Sequence, residues 1–425
     1  MGEGRELPDL EPPARAPSDR ETIATPHRSG SGRVAELVVV ACAVGLALVL
    51  RFTLVPFEAE DFIYFLRRWS LFIRGHGGFQ ALGREFSNYQ PAYLYLLALT
   101  NSLPLPVIWS VKLISIVGDL ALAWYSYRMV RVHFPRGMTA AAAGVGMLFV
   151  PTVVLNSSLW GQCDVLFTTA LVATLLYASR DRPAAACVAY GVALSFKLQA
   201  VFFAPFLVLA WLRGRVGLRH LALVPVVFVL LLHPALYLGR TLPSLLGVYS
   251  GQTTTYKSLQ VRAPNPYQWL GDASYDVVAP IGIVVTGVAV LLLLYVLRHG
   301  SWAPDDRLWV ATALAFVLLV PLLLPAMHER YFYAADVCSV IYAFLYPRRF
   351  AVAVVTVLSS LLAYIPYLTW MRPPLPLVAA ALVLNTAAVV LWLVRDAAAQ
   401  RRATSGGERG TAPSPAPPEA AERTA

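Results

Sequence analysis

Residues 34–69 read VAELVVVACAVGLALVLRFTLVPFEAEDFIYFLRRW, and the fold turns on how this stretch divides. Its first part, Val34 to about Val55, is apolar apart from Glu36 and Arg51. One helix needs roughly 20 such residues to cross a bilayer. The segment is too long for the apolar part of a signal peptide and follows a long polar lead, so it reads as a retained first helix. At Pro56 the character changes: Glu58, Glu60 and Asp61 arrive together, followed by an amphipathic stretch, Phe62–Ile73. A spanning helix opens directly onto an acidic, aromatic loop.

The rest of the chain repeats the first half of that pattern. Of 425 residues, 58% are hydrophobic and 14% charged, with a mean hydropathy of +0.61. Soluble domains run near 45–50% and about 25%, so this composition belongs in lipid. Further apolar segments lie near 107–130, 138–156, 164–179, 184–196, 199–213, 218–239, 276–298, 308–325, 331–346, 350–370 and 375–394. Gln90–Leu103 is apolar but short, and is expected to lie at the interface between Pro91 and Pro104. The expected fold is all-α and polytopic, with about twelve transmembrane helices and interfacial helices in the first outer loop, 56–106. The membrane domain covers 34–398, between disordered tails at 1–33 and 399–425 that are polar and of low complexity.

The formal net charge is +10, yet the basic residues form no tract or aromatic-interleaved stripe, so no nucleic-acid partner is expected. They recur singly and in pairs between apolar segments, as topogenic charges do. A cytoplasmic N-terminus collects Arg128, Arg131, Arg136, Arg213, Arg215, Arg219, Arg348 and Arg349 inside, and the C-terminus falls there too. The other face holds carboxylates, Trp, Tyr, Asn, His and every Lys. Cys42, Cys163, Cys187 and Cys338 show no CxxC, so neither a metal site nor a disulfide framework is indicated.

Four outward motifs carry chemistry. Glu60 and Asp61 sit where a helix meets water, which suits a general base; the plainer reading is a solvated acidic patch. NSSLWGQCD (156–164) offers Trp160 to stack on a sugar and Gln162 and Asp164 to bond hydroxyls; interfacial belts and helix caps use the same residues. In SFKLQ, Lys197 either snorkels or meets an anion such as a lipid phosphate. In MHERYFYAAD, His328 and Arg330 offer donors suited to phosphate, against the plainer reading of an Arg330–Glu329 or Arg330–Asp336 pair. Tyr256 and Asn265, in the loop YKSLQVRAPNPYQW, fit carbohydrate contact. Lys112 and Asp119 share a helix face, where Asp119 is expected as a buried partner for Lys112 or a polar neighbour more than as a catalytic group.

In this order, EDFIYFLRRW, YQPAYLYLLAL, KLISIVGDL, SLWGQCDVLF, SFKLQAVFFAP and MHERYFYAAD resemble the superfamily C glycosyltransferases. They look closest to bacterial mannosyltransferases related to the enzyme that adds the second mannose of GPI anchors. The pieces span about residues 58–340, and their specificity lies in their order and common sidedness. Arg67–Arg68 stands where relatives often have Pro, and Gln90–Pro91 where they often have a double Pro. The resemblance implies transfer of mannose, with inversion, from a polyprenyl-phosphate donor to a glycan, glycolipid or protein acceptor. By the same resemblance the catalytic base falls on Asp61, with Glu60 its nearest substitute; the chemistry of cationic donors puts Lys197, His328 and Arg330 on the donor phosphate. No cofactor is required; Asp61 or Asp164 offers a ligand to a divalent metal, but no spacing demands one. The protein is expected in the cell membrane, multi-pass, with an extracytoplasmic site. The alternative is a secondary transporter or lipid flippase, which favours ionisable residues near the midplane and two related halves. Only Asp119 lies deep, and no repeat is evident.

Overall fold

The structure, a computed structural model, describes residues 30–254, 257–271, 273–299, 307–369 and 371–409. The chain divides into a short N-terminal unit, Met1–Val39, and a main unit, Val40–Ala425. In the first, the described residues open the helix Gly30–Leu54. Among its described residues the second is mostly helical.

Each of the twelve apolar segments forms helix. Six helices are long and apolar enough to cross a membrane: Val34–Leu54, Val107–His133, Leu218–Tyr237, Tyr275–Leu297, Ala351–Leu368 and Leu375–Arg402. Thr139–Met147 and Pro151–Trp160, bent by 43°, make a seventh if they act as one span. The other five segments give shorter apolar helices. At 1.5 Å per residue, a helix like Tyr333–Leu345 reaches only about 20 Å, against roughly 30 Å of hydrocarbon. Length alone therefore supports fewer spans than the twelve expected.

Packing explains the difference between the two groups. Leu308–Leu323 and Tyr333–Leu345 bury nearly every side chain and join Asp164–Ala178 in the main core. Tyr275–Leu297 instead leaves Val277, Ile281, Val284 and Leu291 exposed along its length. In water such a face would drive association, whereas hydrocarbon solvates it. The chain is a multi-pass membrane protein in which the short helices Asp164–Ala178, Leu308–Leu323 and Tyr333–Leu345 are mostly buried within the bundle.

Some boundaries differ from expectation. The last helix, Leu375–Arg409, runs past 398, because DAAAQRRA (396–403) consists mostly of good helix formers. Pro91–Asn101 is an 11-residue helix with Pro at its start, too short to span. Leu242–Thr254 is a helix within the loop after Arg240. One small departure from an all-helical chain is a two-residue parallel ladder, Gln260–Val261 beside Met327–His328. It fastens the 257–271 loop to the turn that carries Arg330.

Two features set the position of Val107–His133, the helix nearest the site. At Gly118 a Cβ would come within 2.7 Å of Val165 Cγ1, so the Val165 and Leu166 side chains pack directly onto the backbone of this helix. Asp119 is fully buried and bonds Arg51 Nε at 2.7 Å, while Arg51 Nη1 donates to Ala47 O and Leu148 O. The expected Lys112–Asp119 pair is therefore not formed. Seven helical residues separate the two by about 10 Å along the axis, while Arg51 reaches across from a neighbouring helix.

A buried charge that loses its partner is strongly destabilising, whereas replacing both partners by apolar groups is often neutral. Arg51→Leu should lose about 3–5 kcal/mol. The double change Arg51→Leu/Asp119→Leu should recover most of it, read as melting midpoints in detergent. A double variant no more stable than the single one would remove the pair as the cause.

Candidate active site

The site begins where regular helix gives way. Phe62–Leu66 and Leu155–Trp160 are both π-helical turns, a geometry that recurs at functional positions because it re-aims side chains. Asp61 lies at the start of the first turn and Trp160 at the end of the second. Their meeting point is the Asp61 carboxylate. Oδ2 accepts from Trp160 Nε1 at 3.0 Å and Gln162 Nε2 at 2.5 Å, and Oδ1 accepts from Tyr367 Oη at 2.6 Å. Its side chain keeps 14% exposure, so one edge remains open. Glu60, about 100° around the helix, is exposed and outside the cluster.

Behind Asp61 lies a second carboxylate. Asp164 is buried, bonding Lys197 Nζ through Oδ1 at 2.5 Å and Asn156 Nδ2 through Oδ2 at 2.8 Å. Arg330 stands between the two acids: Nη1 is 3.8 Å from Asp61 Oδ2, and Nε is 3.8 Å from Asp164 Oδ2. It also donates to Glu329 Oε1 at 2.8 Å, and Glu329 Oε2 is 3.7 Å from His328 Nδ1. Lys197 and Arg330 are thus paired in the folded chain, as burial of a charge demands. The Arg330–Glu329 pair is present; Asp336 instead accepts from Ser360 Oγ.

The electrostatics follow from burial and neighbours. Burial pushes Glu329 up, but the neighbouring His328 ring and the Arg330 charge outweigh it and hold this carboxyl below its usual range. Burial disfavours the Lys197 ammonium, but Asp164 more than compensates and raises its pKa. Burial pushes the Tyr89 phenol to about 12, so it remains a donor, to Gln162 Oε1 at 3.2 Å. Three carboxylates (Asp61, Asp164, Glu329) thus meet two permanent cations (Lys197, Arg330), leaving one negative charge before His328 is counted.

Of the residues expected here, Asp61, Trp160, Gln162, Asp164, Lys197, Arg330 and His328 fall in one connected network. Trp160 is completely buried, with Tyr367 stacked on it at 4.7 Å and the Arg330 guanidinium 5.5 Å from its ring. It holds Asp61 and offers no open face to a sugar, correcting the stacking expectation. Asn265 is also fully buried and donates to Leu324 O at 3.4 Å, so it anchors its loop where a sugar contact was expected. Tyr256 lies outside the described residues. Among the described residues no three His, Cys, Asp or Glu side chains group as metal ligands.

Three contributors were not foreseen. Tyr367 closes the site from the far end of Ala351–Leu368, Tyr89 supports Gln162, and exposed Arg262 lies 5.6 Å over the Tyr367 ring. Arg262 also bridges His328 through its backbone, with φ of +63°, a left-handed conformation that strains a non-glycine residue. Its position in YKSLQVRAPNPYQW was the available signal.

No family model matches the chain, and no curated protein matches it. Among solved structures it is similar to the crystal structure of ArnT from Cupriavidus metallidurans bound to undecaprenyl phosphate. The identity is 16%, over 89% of this chain and 80% of that one, with a TM-score of 0.54. The two share a fold.

Because the Glu329 pKa is depressed by folding, its contribution to stability is full above the ordinary carboxylate range and lost as pH falls through the folded value. Glu329→Gln should therefore lower the melting midpoint at pH 7, and by less at pH 4. An equal loss at both would show that the Glu329 charge does not act in this way.

Proposed function

We propose that the chain is a membrane glycosyltransferase that moves a sugar from a polyprenyl-phosphate donor to an acceptor hydroxyl at the extracytoplasmic face. Its motifs favour mannose. The observation that carries this reading is the Asp61 carboxylate, fixed by three neutral donors, open along one edge, and 3.8 Å from a guanidinium. The full layout would be twelve spans with both termini cytoplasmic, which the segregation of Arg supports.

Asp61 takes the proton from the acceptor hydroxyl. The oxygen attacks the anomeric carbon, and the bond from that carbon to the donor phosphate oxygen breaks, its electron pair leaving with the phosphate. Attack from the opposite side inverts the centre. Polyprenyl phosphate leaves as a stabilised anion, so one base is enough, and the cations beside it supply the electrostatic term. Arg330, His328 and Arg262 take that role. The Arg330 side chain keeps 16% exposure, so a phosphate oxygen can reach the open part of its guanidinium. Arg262 offsets the excess negative charge of the cluster. Lys197, bonded to Asp164, chiefly holds Asp164 in place.

A lipid donor also needs an apolar seat. A cavity of about 280 Å³ lies between Ala351–Leu368 and the 155–160 turn, lined by Phe57, Leu155, Leu159, Leu361, Tyr364 and Leu368 among others. Tyr364 packs against Trp160 with ring centroids 5.2 Å apart, which puts the cavity beside the Asp61 cluster. Its lining suits the first isoprene units of a donor whose phosphate meets Arg330.

Asp61→Asn keeps the shape and removes the basicity, so turnover should fall about 10²–10⁴-fold with folding near wild type. Glu60→Gln should change it by no more than about threefold, the scale of a surface charge outside the cluster. The assay is purified protein with polyprenyl-phosphate-mannose and a cell-envelope extract, read as labelled product. If transfer survives both changes while lipid movement across vesicles is altered, the transporter reading replaces this one.

A further inference from the structure

We infer that Lys112 is a positioning residue whose ammonium group fastens together the two chain segments that build the Asp61 site. Lys112 is completely buried near the start of Val107–His133. Its Nζ donates to Val55 O at 2.9 Å, Phe57 O at 2.5 Å and Leu159 O at 2.9 Å. An ammonium has three N–H groups and no acceptor, so each proton has its own carbonyl. Val55 and Phe57 precede Asp61 on the first loop, and Leu159 directly precedes Trp160. The ammonium therefore joins the two backbones just upstream of the side chains that meet as the Trp160–Asp61 hydrogen bond.

The same helix face continues the fastening. Ser115 Oγ donates to Gln162 O at 2.6 Å, and Ser157 Oγ donates to Asp119 Oδ2 at 2.6 Å. Positions 112, 115 and 119 follow the i, i+3, i+7 spacing of one face. They grip the 157–162 segment at its start, middle and end. Gly161 lies flat against the lysine stem in a left-handed conformation (φ +79°), where a Cβ would sit 3.4 Å from Lys112 Cγ. The π-helical turn that this face holds is rarely stable alone, and so is the one that follows Asp61. An external clamp at the root of both fixes how far the carboxylate stands from Trp160 and Gln162. Lys112 touches no part of the open edge of Asp61; it acts through the backbone.

The kinetic part of this inference rests on Asp61 being the base, so the test has an arm independent of activity. Lys112→Met keeps the stem and removes all three N–H groups. In lipid nanodiscs, amides of 57–63 and 157–163 should exchange with deuterium about tenfold faster or more, while those of 308–345 stay as in wild type. With polyprenyl-phosphate-mannose as donor, kcat should fall about 10–100-fold and donor KM should move by less than about threefold, as expected of a misplaced base. Lys112→Arg keeps the charge but cannot direct three N–H groups from one atom, and should not rescue either readout. If Lys112→Met does not fold, Ser115→Ala must show faster exchange confined to 157–163, or the inference falls. Unchanged exchange in both segments, or an increase spread evenly over the bundle, overturns it. An active Asp61→Asn run alongside would sink the base assignment and leave the exchange result to decide Lys112.

Discussion

Asp61 is held by donors from two distant parts of the chain, Trp160 and Gln162 from one turn and Tyr367 from the end of a helix some three hundred positions later. A carboxylate beside a helix bundle persists as an anion only if such donors or a cation answer it. Here both do, since the Arg330 guanidinium stands 3.8 Å away. The rest of the fold can be understood as the means of bringing those groups together. The Arg51–Asp119 pair fixes the helix that carries Lys112 and Ser115, and that helix grips the turn carrying Trp160 and Gln162. The short parallel ladder at 260–261 and 327–328 presents Arg330 from the other side.

Much of this was legible in the sequence because the chemistry lies in compact runs. EDFIYFLRRW, SLWGQCD, SFKLQ and MHERYFYAAD each place polar groups at the ends of apolar segments, and all four converge. What the sequence could not convey is which groups neutralise one another. Lys197 and Arg330 stand out as cations at helix ends, yet each already has a carboxylate. Trp160 looks like a sugar platform, yet its indole N–H serves Asp61 and its ring is covered. Both outcomes come from tertiary packing, which residue type and spacing do not encode. Tyr367 was hidden for a simpler reason: tyrosines near span ends are common in interfacial belts, so one of them carries no signal.

The count of spans was equally ambiguous. Five apolar helices are too short to cross by length, and three of them, Asp164–Ala178, Leu308–Leu323 and Tyr333–Leu345, are mostly covered by other parts of the chain. A hydropathy pattern registers that a segment is apolar but not whether lipid or protein surrounds it. The same limit explains Lys112: a lone buried lysine suggests a carboxylate partner, and three carbonyls answer it instead. Carbonyl acceptors belong to every residue, so no motif announces them.

Under the proposed function, the edge of Asp61, Arg330 and the neighbouring apolar cavity form one site for a lipid phosphate and the sugar it carries. Cryo-electron microscopy of the protein in nanodiscs with polyprenyl monophosphate tests it directly. Phosphate density should lie against Arg330, with Arg262 and His328 beside it and the open edge of Asp61 facing it. The first isoprene units should run along Leu155, Leu159 and Leu361. Phosphate density near Arg213 and Arg215 instead, with the Asp61 cluster unchanged, would contradict it.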